Sequence, residues 1–287
     1  MTTSSFEYHA PASVAEAAEL LSQHGENAKL LAGGHSLIPM MKLRLAEPEV
    51  IIDLGQISSL SYINSQDGGL AIGAMTTYSE LESSDLVKSV APLLAEAAGA
   101  VADPLVRNRG TIGGSLSHAD PAGDLPAVAL ALDAQMETSS TGAHRTIAAT
   151  DFFLDLLTTA LEPNEILSQI SISALPPGTG TAYAKFANKA SHFAIVGVAA
   201  VITVSNGVCQ DARIGITGAG PVPSRASEAE AALRGNPLND DNISAAAQSA
   251  GVGIDFNEDI HASGEFRAHL VQVFAERAIR AAVARAG

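Results

Sequence analysis

The sequence predicts an α+β protein in two parts, and three observations lead to this fold class. A short strand-helix-strand unit near the N-terminus surrounds a pair of glycines. The segment Pro176-Pro177-Gly178-Thr179-Gly180 is the clearest candidate boundary in the chain. Beyond it, predicted strands are followed by predicted helices, an order typical of α+β domains. We therefore expect a first domain over residues 1–176, with subdomains of about 1–57 and 58–176, and a second over 177–287.

The first part alternates helical and strand signals. Ser13-Val14-Ala15-Glu16 has the capping-box pattern, and apolar residues at helical spacing continue to Gly25, which predicts a helix. Ala28–Ala32 and Val50–Leu54 are predicted strands on either side of the first glycine pair. The remaining elements predicted here are a hairpin of Leu60–Ile63 and Leu70–Ile72, a helix capped by Thr77, a helix over Leu86–Val101 that Pro92 opens or restarts, a helix over Leu125–Leu132, and strands over Gln135–Ser139 and Ile166–Ile172.

The second part begins with a predicted antiparallel meander. Thr181–Phe186, Ala194–Val204 and Val208–Thr217 alternate or run apolar as strands do, and Ser205-Asn206-Gly207 is a turn signal between the last two. Helices are expected near Ser227–Arg234, Asp241–Ala250 and Glu265–Ala286. This half is therefore predicted to be a three-stranded antiparallel sheet with helices packed on it.

Composition limits the possible functions. Hydrophobic residues make up 47% of the 287 residues and charged residues 16%, as in a folded globular protein. The formal net charge of −15 repels nucleic acid and anionic membrane, so a bound phosphate must be held by local groups. The single cysteine, Cys209, excludes a disulfide within the chain and a cysteine-ligated iron–sulfur cluster.

Neither a targeting segment nor a membrane span is predicted. The first ten residues contain no basic region followed by an apolar one, and apolar stretches such as Phe193–Val204 are shorter than the ~18 residues of a spanning helix. Aromatic residues are only 4% of the chain, too few for a stacking platform on single-stranded nucleic acid. A cytoplasmic protein without membrane insertion is expected.

The first unusual stretch is Leu30-Leu31-Ala32-Gly33-Gly34-His35-Ser36, followed by the apolar segment from Leu37 to Lys42. Adjacent glycines let backbone N–H groups come close to an anion, and a following helix would add its own free N–H groups. The pattern matches neither Gly-x-Gly-x-x-Gly nor the P-loop spacing. Taken alone, it is either a phosphate cradle or a tight turn.

A second glycine pair, Gly113-Gly114, lies in the stretch Arg107–Asp124 and is also followed by a hydroxyl side chain, Ser115. Two such loops in one domain could hold one diphosphate from both sides, which favours a shared dinucleotide site. Thr111, Ser36 and Ser115 would supply hydroxyl donors. The pair of motifs is therefore more specific than either one.

Other polar residues near these stretches have two interpretations each. His35 and His118 are hydrogen-bonded loop residues or proton-transfer groups. Asp120 and Asp124 could be the paired carboxylates of an acid/base catalyst, but Asp120 is expected to cap the helix that begins near Asp124, and Asp124 is the better candidate for a ligand contact. Lys185 is either a cleft lysine or a solvated one. Since no nucleophile elbow, His-Glu-x-x-His helix or other metal-ligand spacing is present, a bound cofactor would supply the chemistry.

Ala32-Gly33-Gly34-His35-Ser36-Leu37-Ile38-Pro39-Met40-Met41-Lys42 and Gly110-Thr111-Ile112-Gly113-Gly114-Ser115 resemble the two FAD-pyrophosphate loops of the flavin-binding medium subunit of molybdenum hydroxylases. The likeness is greatest to the medium subunits of aerobic carbon monoxide dehydrogenases. It extends over essentially the whole chain, including Phe6-Glu7-Tyr8, Pro163–Leu167, Tyr183–Phe186 and Ser263–Arg267.

The resemblance implies a fold, a cofactor and partners. The N-terminal half would be an FAD-binding unit of the vanillyl-alcohol-oxidase/PCMH type, and FAD would lie between it and the C-terminal half. A large partner subunit would oxidise the substrate at a molybdenum-pterin cytosine dinucleotide, and a small partner with two [2Fe-2S] clusters would pass the electrons to FAD. The assembly implied is a dimer of heterotrimers that reduces a quinone, a cytochrome or NAD.

The resemblance also implies residue roles. Ala32, Gly33, Gly34, His35 and Ser36, together with Thr111, Ile112, Gly113, Gly114 and Ser115, would hold the diphosphate. Asp124 would contact the flavin-side sugar or the ring, Leu167 would lie near the cofactor through its backbone, and Lys185 would lie near the ring. Phe193 would screen one face of the ring. No catalytic side chain and no metal ligand is expected in this chain.

Two positions depart from the family pattern. Ser115 stands where many relatives have Asn, and His192-Phe193 stands where an Asp-Tyr or Asp-Phe pair is common. The second departure leaves the electron acceptor open. The expected function is electron transfer in a CO-oxidising enzyme; the alternatives are the same role in an enzyme of N-heterocycles or aldehydes, and a flavin-binding or nucleotide-binding scaffold without redox turnover.

Overall fold

A small parallel sheet opens the chain in the computed structural model, which describes residues 2–286. Its strands β1 (Glu7–His9), β2 (Ala28–Leu31) and β3 (Val50–Asp53) lie in the order β1-β3-β2. Helix α1 (Val14–His24) packs on this sheet and is capped by Ser13, whose Oγ accepts the N–H of Glu16. The Glu16 carboxylate accepts the N–H of Ala12, so the predicted capping box is only half formed.

The middle of the chain forms a five-stranded antiparallel sheet in the order β4-β5-β10-β6-β7. The helix expected over Leu86–Val101 is two helices, because Pro92 cannot donate a backbone hydrogen bond and starts the second. The elements of this region are β4 (Ile63–Gln66), β5 (Gly69–Gly73), α3 (Tyr78–Ser83), α4 (Asp85–Val90), α5 (Pro92–Ala100), α6 (Pro104–Arg107), α7 (Ile112–His118), α8 (Asp124–Ala131), β6 (Gln135–Ser140), β7 (Ala143–Ala148), α9 (Ala149–Phe152), β8 (Phe153–Asp155), β9 (Thr158–Thr159) and β10 (Ile166–Ile172), with α2 (Leu37–Lys42) preceding them.

The C-terminal sheet is the predicted antiparallel meander with one addition. β11 (Thr179–Ala187), β12 (Ala194–Ser205) and β13 (Val208–Thr217) pair in sequence, and the two-residue strand β14 (Ser224–Arg225) extends the edge. Asn206 and Gly207 both have positive φ, as a two-residue hairpin turn requires. The helices α10 (Ser227–Leu233), α11 (Asp240–Ser249) and α12 (Gly264–Arg285) follow, and the predicted α+β class is confirmed.

Buried side chains link the two halves. Tyr183, Ala199 and Val201 of the C-terminal sheet belong to the same apolar cluster as the helices α5 and α8 of the middle region. A separate cluster joins the other face of that sheet to α10, α11 and α12. The C-terminal sheet is therefore held between two layers of helices. Within residues 2–286, no helix is both long and apolar enough to cross a bilayer.

Candidate cofactor site

One cavity of about 640 Å³ is lined by both glycine motifs. Its volume lies within the range of about 300–1,000 Å³ typical of small-molecule and cofactor sites. Besides the glycines, its lining includes Leu21, Lys29, Asp124, Leu167 and Phe193. Residues that are far apart in the sequence therefore meet at one site.

Nearly every residue expected from the resemblance lines this cavity. The lining members are Ala32, Gly33, Gly34, His35, Ser36, Thr111, Gly113, Gly114, Ser115, Asp124, Leu167 and Phe193. Ile112, the first residue of α7, is buried in the core, and Lys185 is paired with Asp124; neither residue lines the cavity. The fold thus brings the two predicted motifs together around one space.

Gly33 is required by the contact between the two motifs. A Cβ on Gly33 would lie 2.1 Å from the carbonyl oxygen of Arg109, and one on Gly114 would lie 3.4 Å from the Cβ of Ala32. Gly34 has a φ of 77°, in the left-handed region that favours glycine. The first pair of glycines is therefore explained by close backbone packing and by a turn.

The backbone N–H groups of this first motif are open. Between residues 2 and 286, no acceptor on the protein receives a hydrogen bond from the N–H groups of Gly33, Gly34, His35 or Ser36. These residues line the cavity and lead directly into α2. Successive unpaired N–H groups at a concave wall form an anion-binding site, so this segment fits a diphosphate.

The second motif differs from the predicted glycine loop because it forms the first turn of helix α7. Thr111 is the N-cap, and its Oγ accepts the N–H of Gly114 at 3.1 Å. The other N–H groups of this turn are also used within the protein: Ile112 donates to Thr76 O, Gly113 to Ala74 O, and Ser115 to Thr111 O. This motif can offer hydroxyl groups to a ligand, whereas its N–H groups are already engaged.

Asp124 begins helix α8 and is buried beside Lys185. The Lys185 Nζ lies 2.9 Å from the Asp124 carboxylate and donates to Ala100 O at 2.7 Å, while the Tyr183 hydroxyl donates to the same carboxylate. Burial raises the pKa of Asp124, and the Lys185 ammonium acts in the opposite direction. Burial likewise raises the pKa of Tyr183 well above its usual value. These three groups form one buried network at the junction of the two halves.

Asp120 does not cap α8, contrary to expectation. Its carboxylate accepts the N–H of Ala122 at 2.8 Å, which closes a turn before the helix, and α8 has Gly123 at its N-cap position without a side-chain cap. The Asp120 carboxylate is therefore used in the turn before α8 and does not cap the first turn of that helix.

The cavity wall also includes residues to which the sequence analysis assigned no role. Glu165 is one: its carboxylate accepts hydrogen bonds from Arg145 Nε (2.6 Å), Thr138 Oγ (3.0 Å) and the N–H of Glu162 (2.8 Å). The hydrogen bond from Arg145 holds the pKa of Glu165 below its usual value. The sequence Leu161-Glu162-Pro163-Asn164-Glu165 predicts the turn that leads into β10, but not the place of the Glu165 carboxylate at the cavity.

Tyr78 forms a buried part of the wall beside the second motif. A Cβ on Gly110 would lie 2.4 Å from its ring, so glycine is needed there for the ring to pack. Burial raises the pKa of Tyr78 to about 12, and the Ser115 hydroxyl partly offsets the rise. Tyr78 is therefore a neutral side chain near neutral pH. Over the part of the chain that is described, no three His, Cys, Asp or Glu side chains are grouped as metal ligands.

Residues 4–174 match the family described as the FAD binding domain in molybdopterin dehydrogenase, and residues 181–282 match the CO dehydrogenase flavoprotein C-terminal domain. The chain belongs to this family. It is thus an FAD-binding subunit of a molybdenum-hydroxylase-type oxidoreductase, which confirms the family and the cofactor predicted from the two glycine motifs.

Members of this flavoprotein family resemble the chain over its whole length. The carbon monoxide dehydrogenase medium chain of Hydrogenophaga pseudoflava is 42% identical over 280 residues, covering 98% of both chains. The solved carbon monoxide dehydrogenase of that organism, in a form that lacks the Mo-pyranopterin moiety, has a TM-score of 0.98 at 44% identity and full coverage of both chains. The 6-hydroxypseudooxynicotine dehydrogenase complex subunit alpha of Paenarthrobacter nicotinovorans is 37% identical, covering 100% of this chain and 97% of that protein.

Proposed function

We propose that this flavoprotein is the electron-transfer subunit of an aerobic carbon monoxide dehydrogenase. The complex would convert CO and water into CO2, two protons and two electrons on a partner subunit, and this chain would pass the electrons to an acceptor. The row of open N–H groups from Gly33 to Ser36 is the observation that carries the proposal, because it gives a strongly acidic protein a local site for a diphosphate.

The site residues divide into three roles. The N–H groups of Gly33 to Ser36 bind the diphosphate, and the hydroxyl groups of Thr111 and Ser115 add donors from the facing wall. Asp124 and Leu167 line the part of the cavity that takes the ring, and Phe193 covers its mouth. Bound FAD supplies the two-electron chemistry, which no side chain of this protein provides. Lys185 acts by fixing Asp124 in place, since it stands behind the wall.

Partners and location follow from the same proposal. A large subunit would carry the molybdenum-pterin cytosine dinucleotide, a small subunit would carry two [2Fe-2S] clusters, and a dimer of heterotrimers would form. The acceptor would be a quinone, a cytochrome or NAD. The complex would be cytoplasmic, or peripheral at the inner membrane when the acceptor is a quinone. Cys209 is fully buried, which leaves it unable to ligate a partner's cluster.

The decisive experiment is a spectral titration of the co-purified complex under anaerobic conditions. We expect a flavin absorbance band that is bleached on addition of CO, and FAD in a one-to-one ratio to this chain after acid release. A bound flavin that no substrate reduces would refute the electron-transfer role and favour a scaffold that only binds the nucleotide.

A second candidate is the same role in a hydroxylase of N-heterocycles or aldehydes. The identity of 37% to the 6-hydroxypseudooxynicotine dehydrogenase subunit, against 42% to the carbon monoxide dehydrogenase chain, favours it as the alternative. Bleaching of the flavin by nicotine-type substrates or aldehydes, with no response to CO, would select this candidate.

We also propose that the chain divides at residues 176/177, with the first domain split near residue 57. The segment from 173 to 178 contains no helix or strand; the first family match ends within it at residue 174, and the second begins beyond it at residue 181. Limited proteolysis should cut the chain first between residues 173 and 178. A first cut within β11 or β12 would contradict this division.

A further inference from the structure

The turn between β11 and β12 brings Phe193 to the mouth of the cofactor cavity. The Phe193 side chain is 47% exposed and lines that cavity. It also lines a second cavity of about 250 Å³, which is bounded on its other side by His261 and Arg267. Phe193 therefore lines two neighbouring cavities, as Asp120 and Ser191 also do, and its side chain is part of the boundary that they share.

Asn188 uses all of its hydrogen-bonding groups to close this turn. Its Oδ1 accepts the N–H groups of Ala190 (2.8 Å) and Ser191 (3.2 Å). Its backbone carbonyl accepts the N–H of His192 at 2.9 Å, and its backbone N–H donates to the carbonyl of Phe193 at 2.9 Å. Since Oδ1 takes two N–H groups, the amide orientation is fixed, and Nδ2 faces Nδ1 of His261 at 3.2 Å.

Few other contacts oppose opening of the turn. His192 has a φ of 61°, a left-handed backbone conformation that is uncommon for residues other than glycine. The backbone at His192 therefore does not itself favour the closed turn. The Phe193 N–H reaches Ser191 Oγ only at 3.4 Å, near the limit for a hydrogen bond. The C-terminal end of the turn, where β12 begins, is anchored by the Ala194 N–H, which donates to Ala122 O at 3.2 Å. The contacts of Asn188 are therefore the main local interactions that hold residues 189 to 193 in place.

We propose that Asn188 is a positioning residue that holds Phe193 between the two cavities and thereby limits access to the flavin from the side of the second cavity. The inference rests on the proposed function, since the flavin is the group that is screened. Asn188 lines the second cavity but not the cofactor cavity, so it acts on the cofactor cavity through Phe193. The two hydrogen bonds that its Oδ1 accepts are the essential interactions for this role, and the contact between its Nδ2 and His261 is secondary.

The test compares the accessibility of bound flavin in variants of the full chain in its complex. Flavin fluorescence is quenched with acrylamide, a neutral molecule chosen because the charge of −15 would repel iodide. Phe193→Ala defines the fully opened value. We expect Asn188→Ala to give most of that increase in the quenching constant with unchanged FAD content, and Asn188→Asp to stay near wild type because it keeps the acceptor.

Asn206→Ala is the matched control, because Asn206 occupies a positive-φ turn at the opposite end of β12 and lines neither cavity. It should leave the quenching constant unchanged while affecting stability in a similar way. If Asn188→Ala does not accumulate as folded protein, Asn188→Ser replaces it and should give an intermediate quenching constant, since a hydroxyl supports such turns more weakly. A wild-type quenching constant in the Ala or Ser variant would overturn the proposal.

Amide hydrogen exchange gives a readout that does not depend on the cofactor. In protein stripped of FAD, the N–H groups of Ala190 and Ser191 should lose protection in Asn188→Ala and keep it in Asn188→Asp, because both donate to Oδ1. Unchanged protection would overturn the role of Asn188 even if the chain bound no flavin. Absence of FAD from the wild type would instead refute the proposed function, so the two failures are distinguishable.

Discussion

The two glycine motifs have similar sequences and opposite hydrogen-bonding states. Both contain Gly-Gly followed within two residues by a serine, and both line one cavity. The N–H groups of Gly33 to Ser36 have no protein acceptor among the described residues, whereas those of Ile112 to Ser115 all donate within the protein. The difference teaches that a glycine pair marks close backbone packing, and that anion binding depends on which N–H groups remain free.

The difference comes from the acceptors that the fold supplies: Thr76 O and Ala74 O accept the N–H groups of Ile112 and Gly113, and Thr111, which opens the second motif, accepts that of Gly114. Thr111 supplies an Oγ that accepts the N–H of Gly114 and so starts α7 within the motif. Ala32 has no such group, and α2 starts only at Leu37. The N–H groups of the first motif are accessible to water in the free chain, and a bound anion would replace that water with charge-assisted hydrogen bonds. The first motif is thus suited to bind a ligand, whereas the second stabilises the fold.

A third helix start at the cavity, that of α8, extends the comparison, because its first residue is a buried carboxylate that repels anions. We expect Asp124→Asn to lower the free energy of unfolding by about 3–5 kcal/mol, since Lys185 would keep a buried charge without its partner. Urea unfolding of the FAD-free chain measures this. The double variant Asp124→Asn/Lys185→Met should recover most of the loss, and equal stability of the single variant and wild type would show that the pair is not coupled.

Gly113→Val should break the second motif through the fold. A Cβ at Gly113 would lie 2.5 Å from the Cβ of Ala74 and 2.7 Å from its carbonyl oxygen. Overpacking of this kind costs about 3 kcal/mol of unfolding free energy, measurable in the FAD-free chain. Gly114→Ala is the control and should cost less, because its Cβ meets chiefly the Thr111 side chain. If the Gly113→Val variant had the wild-type unfolding free energy without FAD but bound no FAD, Gly113 would instead act in ligand binding.

Gly33→Ala should break the first motif through ligand binding. The added Cβ would collide with Arg109 O, and the half-buried loop can move away, which displaces its N–H groups from the ligand. Loss of one or two charge-assisted hydrogen bonds costs about 2–4 kcal/mol, or roughly 30- to 1,000-fold in the Kd for FAD. Fluorescence titration of the stripped chain measures the Kd. If Gly33→Ala lowered the unfolding free energy of the FAD-free chain more than it weakened FAD binding, Gly33 would act through the fold as Gly113 does, which would contradict the proposed difference.

Thr111→Val should sharpen the contrast with the smallest effect. The substitution keeps the shape of the side chain and removes the Oγ that caps α7, at a cost of about 1 kcal/mol of unfolding free energy. Thr111→Ser keeps the cap and should stay close to wild type. The measurement is thermal or urea unfolding without FAD. A stability of the Val variant equal to wild type would mean that the cap does not hold the N–H of Gly114.

Regular elements were predictable from the sequence because their signals are local. The meander of β11, β12 and β13 and the helix α12 follow from apolar periodicity and the Asn206-Gly207 turn, and the restart at Pro92 follows from proline chemistry. Both glycine motifs and their common cavity were also predictable from the residues, whereas the identity of the ligand as FAD came only from the family resemblance.

Features that depend on distant residues were not predictable. Whether an N–H of the second motif is free depends on Thr76 and Ala74, which precede it by more than thirty residues in the chain. Lys185 pairs with Asp124 only because the C-terminal sheet packs on α8. Asp120 was wrongly expected to cap α8, although Asp120-Pro121-Ala122-Gly123 has the residues that favour a type I turn, and its carboxylate accepts the N–H of Ala122 within that turn. Tertiary contacts decide the hydrogen-bond partners in the first two cases, whereas the partner of Asp120 is local.

Amide hydrogen exchange with and without FAD tests the difference between the two motifs most directly. The N–H groups of Gly33, Gly34, His35 and Ser36 should exchange rapidly in the stripped chain and become protected when FAD binds. Those of Ile112 to Ser115 should be protected in both states, because their acceptors belong to the protein. Equal gains of protection at both motifs, or none at residues 33–36, would contradict the assignment of the anion site to the first motif.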